Sequence, residues 1–111
     1  MIQGHPMSIK MKQTSRGFVL GQFKDMGGLS CSIQESSRAD KAAIWLGVDD
    51  VRPMVMHSDA RAVGIETDAT CGWVPYPIPE QVLLHSRMEL DQKKAKALIE
   101  ALQRFVDTGL L

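Results

Sequence analysis

The chain has 111 residues, 44% of them hydrophobic and 23% charged, with thirteen basic side chains balanced by thirteen acidic ones. Those proportions exclude a disordered chain, and no apolar run reaches the roughly 20 residues of a membrane-spanning helix. A length inside the usual single-domain range makes one core, and one domain over residues 16–111, the expectation.

The leader MIQGHPMSIKMK lacks the apolar centre of a secretory signal, so a cytoplasmic location is expected. Residues 1–15 show no periodicity and are expected to form a flexible arm or an extra edge strand. Lys10, Lys12, Arg16 and Lys24 make the first 24 residues purely basic, whereas residues 25–80 carry nine acids against four bases. Such a leader suits nucleic acid, its own acidic body or a neighbouring subunit.

Gly17–Lys24 alternates as a first strand, and Asp25-Met26-Gly27-Gly28 supplies a turn whose glycines accept positive φ. Beyond it Leu29, Cys31 and Ile33 alternate with Ser30, Ser32 and Gln34, predicting a second strand with one face in the core. Ser36–Lys41 is a polar corner or a single helical turn, and the apolar run AAIWLGV predicts a well-buried third strand that closes a meander. A short strand is expected after Pro53, and residues 54–72 are expected as a variable loop or peripheral hairpin. Trp73–Pro79 must be extended, because each proline fixes its own φ and restricts its predecessor, and it is excluded from a central strand.

His85–Leu90 is read as a further short strand. The C-terminal helix is signalled by Asp91 as N-cap, by Leu90 and Ala95 as a hydrophobic staple, and by Thr108-Gly109 as its stop. Ala95, Leu98, Ile99, Leu102, Phe105 and Val106 recur at three and four residues, and this apolar stripe is expected to pack on the meander. The fold class is therefore α+β: a small antiparallel sheet with a C-terminal amphipathic helix on one face.

Four motifs, SCSIQESS, AIWLG, WVPYPIPE and RMEL…LIEALQRFVDTG, together resemble a family of small phage and prophage proteins to which no reaction is assigned. The resemblance covers most of residues 16–109 and thins between Pro53 and Thr70. The chain departs from the family's pattern at Glu89, where relatives carry His, and at Ser36-Ser37-Arg38, where they carry Ser-Ser-Leu. The resemblance implies expression inside a bacterial host and an accessory role that blunts a host component.

Gln34, Ser36, Ser37 and Arg38 are the leading candidate site, since two hydroxyls, an amide and a guanidinium at a strand end suit a phosphate or other anion. The competing reading has the serines capping their own turn and Arg38 in solvent. Trp73 and Tyr76, in a loop, are candidates for stacking on a nucleobase; Trp45 serves that purpose or the core. Cys31 and Cys71 make no C-x-x-C pair, and His5, His57 and His85 have no ligand spacing, so no metal or cofactor is expected. No G-x-S-x-G elbow is present, and no catalytic residue is assigned; an enzyme using Ser37 and Arg38 in an unrecognised site remains a further class.

The favoured expectation is a non-enzymatic binding protein that interferes with a host defence process. It does so by sequestering a small anionic or nucleotide ligand, or by masking a host protein through its acidic middle segment. A nucleic-acid-binding protein using the basic arm is the alternative. Seven methionines and the Leu110-Leu111 end favour a homo-oligomer over a monomer.

Overall fold

The computed structural model describes residues 8–111, which form seven strands and one α-helix. The strands are β1 (Met11–Gln13), β2 (Val19–Lys24), β3 (Ser30–Glu35), β4 (Ala43–Val48), β5 (Met54–Met56), β6 (Trp73–Pro75) and β7 (Arg87–Asp91), and the helix is α1 (Gln92–Thr108). The fold is α+β: five strands in the order β1-β2-β3-β4-β7 make one antiparallel sheet, β5 and β6 make a second, and α1 packs against the large sheet at β7. The chain divides into two compact units, the described residues through Asp49 together with Ser86–Leu111, and Asp50–His85.

Local chemistry explains the first unit strand by strand. The arm's residues 11–13 pair with β2 as an edge strand, whereas residues 1–7 of the expected arm lie outside the described residues. The β1–β2 connection is closed by Thr14, whose Oγ1 accepts from the Phe18 amide at 3.1 Å. The β2–β3 turn is closed by Asp25, whose side chain accepts from the Leu29 amide at 2.8 Å while Gly28 takes φ +89°. Asp91 caps α1 by accepting the Lys94 amide at 2.8 Å, and Gly109 ends it at φ +75°, its amide donating to the Phe105 carbonyl.

Register sorts the large sheet into two faces, because alternate side chains point to opposite sides. One face is mainly apolar, built from Val19, Phe23, Cys31, Ile33, Ile44, Leu46, Val48, Met88 and Leu90, with Glu35 at the end of β3. The other carries Lys12, Leu20, Gln22, Ser32, Gln34, Trp45, Gly47, Arg87 and Glu89. Gly47 lies hard against the chain entering β7: a Cβ there would overlap the Ser86 carbonyl oxygen and lie 2.7 Å from the Arg87 Cα. Only glycine fits.

Two expectations change in detail. Every residue of β4 keeps partial exposure, less cover than the AAIWLGV run suggests. The helix stripe is likewise open beyond its first turns, with Ile99 63%, Leu102 56%, Phe105 53% and Val106 74% exposed. Hydrophobic periodicity tells which side of an element avoids water, but not what covers it. Within one copy, α1 leaves β7 directly and most of its stripe has no partner on the sheet.

In the second unit, β5 and β6 pair antiparallel, with Val55 opposite Val74, and two turns of 3-10 helix (His57–Asp59 and Arg61–Val63) lie between them. Ala60 and Val74 are its buried residues among those described. Trp73–Pro75 is extended, as Pro75 requires, in this two-stranded ladder rather than in the large sheet.

Candidate functional site

At the end of β3 the chain turns away from the sheet, the Ser36 amide donating to the Ala43 carbonyl at 2.9 Å. The Ser36 hydroxyl accepts from the Arg38 amide at 3.2 Å, a local turn of the kind serine forms with its own backbone. The same hydroxyl donates to Glu89 Oε2 at 2.9 Å. Ser36 thus ties its own corner and spends its hydroxyl proton on a carboxylate from β7.

The guanidinium of Arg38 is held from two sides. Its Nε and Nη2 reach the two oxygens of Asp40 at 3.0 and 3.3 Å, and its Nη1 reaches Glu89 Oε1 at 3.1 Å. Hydrogen bonding and charge from Asp40, then from Glu89, raise the Arg38 pKa further above its ordinary value, and the Arg38 hydrogen bond lowers that of Asp40. Arg38 is therefore exposed, as the simplest sequence reading has it, and already paired with two carboxylates.

Gln34, one rung along β3, accepts through Oε1 from Arg87 Nη1 at 2.9 Å. The Arg87 guanidinium also lies 5.8 Å from the Trp45 ring centroid, a cation–π distance. Register explains the grouping, since Gln34 faces Trp45 across β3–β4 and Trp45 faces Glu89 across β4–β7. In the next rung Ser32 faces Gly47, and Gly47 faces Arg87; Ser32 is 2% exposed and its hydroxyl has no hydrogen-bond partner.

Gln34, Ser36 and Arg38 thus share one polar rim with Trp45, Arg87 and Glu89. Sequence reasoning did not place Arg87 and Glu89 there, and gave Trp45 more readily to the core. The signal available was the alternation in β4 and β7, which becomes informative only once the pairing of those strands is known. Ser37 is exposed beside the rim. Two shallow depressions flank it: one of about 250 Å³ lined by Ser36, Arg38, Ile44, Leu90 and Ala95 among others, and one of about 230 Å³ lined by Arg38, Lys41, Ala43, Glu89, Asp91 and Lys94. Lys41 Nζ lies 3.7 Å from Asp91 Oδ2, and the Lys94 amide is the main cause of a lowered Asp91 pKa.

Trp73 and Tyr76 belong to the second unit, Trp73 63% exposed on β6 and Tyr76 half-buried with its amide donating to the Pro53 carbonyl at 3.0 Å. A polar, open cavity of about 820 Å³ also lies in that unit, lined by residues between His57 and Ala69. Of the basic residues of the arm, Arg16 lies over Phe18 at 5.6 Å, in the turn before β2, and Lys24 lies at the far end of that strand. Lys12 and Lys24 project to the polar face from different strands, so the cations are spread along β2 rather than gathered.

Among the described residues no group of three or more His, Cys, Asp or Glu side chains is placed to hold a metal ion, and no helix is long and apolar enough to cross a membrane. Comparison with known proteins finds no matching family model, curated protein or solved structure.

Proposed function

We propose that this chain is a non-enzymatic accessory binding protein of phage or prophage origin, acting in the cytoplasm of a bacterial host by sequestering a small anionic or nucleotide ligand. The observation that carries this reading is the polar rim itself: an amide, a hydroxyl and two guanidiniums beside an indole ring, on one face of the large sheet. Hydroxyl and guanidinium donors suit phosphate oxygens, and Trp45 beside Arg87 offers a flat surface to a base. Trp73 and Tyr76 are further stacking candidates. No catalytic step and no cofactor belong to the reading.

The protein acts as a homo-oligomer in this proposal. Support comes from the open stripe of α1, because contiguous apolar surface of this kind in a small chain is ordinarily covered by a partner. A second copy supplies the same stripe to itself by two-fold symmetry.

Native mass spectrometry of protein purified gently from a bacterial host tests the reading. The expected spectrum shows an oligomer retaining a phosphorylated small molecule, and Arg38→Ala loses that molecule while keeping the oligomer. A bare mass that does not shift on adding nucleotides removes the sequestering version and turns the reading to masking of a host protein. The basic arm is a weaker route to nucleic acid, because Arg16 and Lys24 lie at opposite ends of β2. Affinity for DNA or RNA that falls steeply with salt, with the slope of three or four phosphate contacts, would reinstate it.

A further inference from the structure

The rim is not empty of anions; it holds its own. Four donors face outward there, the Ser36 hydroxyl and Nε, Nη1 and Nη2 of Arg38, and each is bonded to a carboxylate oxygen. The two carboxylates differ in kind. Asp40 is two residues from Arg38 and its side chain is 60% exposed, so it is a local and well-hydrated partner. Glu89 arrives from β7, its side chain is 25% exposed, and its two oxygens bridge Ser36 and Arg38 as a bound anion would.

Any anion captured by these donors must therefore exchange with Glu89. A monocarboxylate brings the same charge and the same two oxygens, so the exchange leaves Glu89 displaced and gains nothing. A phosphoryl dianion brings a second charge and a third acceptor oxygen, enough to engage Ser36 and Arg38 together with Lys41, which lines the same depression as Arg38 and Glu89. We propose that Glu89 sets the selectivity of the rim as an internal counter-anion, one that a phosphoryl dianion displaces and a carboxylate does not. This inference rests on the anion-binding reading above and names the group within it that discriminates.

Charge separates this role from a structural one. Arg38, Asp40 and Glu89 together carry one net negative charge, and Glu89→Gln brings that sum to zero while keeping the side chain's size and one acceptor oxygen.

The test is a titration of the uniformly labelled protein with inorganic phosphate and, separately, with acetate, followed by NMR at the Arg38 Nε–H and backbone amide. Phosphate is expected to shift these signals in the natural chain and acetate to leave them unmoved. Glu89→Gln is expected to bind phosphate about fivefold more tightly, the upper end for a partly exposed ion pair, and to admit acetate, so that the preference narrows. The Glu89 side-chain carboxyl carbon provides a measurement independent of any variant: phosphate should move it and acetate should not. If phosphate binds through Arg38 but Glu89→Gln changes neither affinity nor preference, or the Glu89 carbon stays still, the counter-anion role is overturned and the rim reading stands. If phosphate binds neither form, the rim reading falls and this inference falls with it.

Discussion

Gly47→Ala is the sharpest probe of how this sheet is held. The added methyl would meet the Ser86 carbonyl oxygen and lie 2.7 Å from the Arg87 Cα, about 1 Å inside ordinary contact. Both neighbours are backbone, so no rotamer change relieves the overlap and β4 must part from β7. The first bond to lengthen is the Val48 amide to the Ser86 carbonyl, already 3.2 Å. Overpacking of this kind costs about 1–3 kcal/mol, and loss of one ladder bond adds about 1 kcal/mol, giving roughly 2–4 kcal/mol in all. That is a large fraction of the 5–15 kcal/mol typical of a domain. Urea unfolding followed by far-ultraviolet circular dichroism, at fixed protein concentration, measures it. Gly27→Ala is the control, because its nearest new neighbour, Asp25 Oδ1, lies at an ordinary 3.5 Å. A Gly47→Ala midpoint indistinguishable from that of the natural chain would show that the two strands are not held at this spacing.

Phe105→Glu should leave the fold of the single chain almost unchanged, since Phe105 is already 53% exposed, while shifting sedimentation towards the monomer; an unchanged assembly state would remove α1 from the interface. Acid should act through the helix cap. The Lys94 amide holds the Asp91 carboxyl below its ordinary value of 3.8, so its contribution is complete above that pH and is lost as pH falls through the folded-state value. Asp91→Asn keeps a competent cap without the charge, and its thermal midpoint should vary less with pH in that range than that of the natural chain; equal slopes would assign the acid sensitivity elsewhere.

What could be read from the chain alone was set by neighbours in sequence. The Ser/Cys alternation of β3, the glycine turn before it, the Asp91 cap and the Gly109 stop each follow from interactions spanning a few residues, and each element stands where the sequence places it. Proline chemistry kept Trp73–Pro75 out of the large sheet for the same reason. Half of the rim was legible too, because Gln34, Ser36 and Arg38 lie together at one strand end.

The other half belongs to the tertiary structure. Arg87 and Glu89 reach Gln34 and Ser36 across 53 residues, through β7 pairing with β4 rather than with its sequence neighbours, and nothing in a local pattern names that partner. That pairing adds Glu89 to Asp40, the carboxylate two residues away that Arg38 engages locally. Nor could periodicity say how much of the stripe on α1 the sheet would cover: the helix's direction from the end of β7 decides that, and leaves Ile99, Leu102, Phe105 and Val106 exposed. Short-range sterics and hydrogen bonding fix the elements, whereas strand order and exposure arise from contacts between residues far apart in the chain.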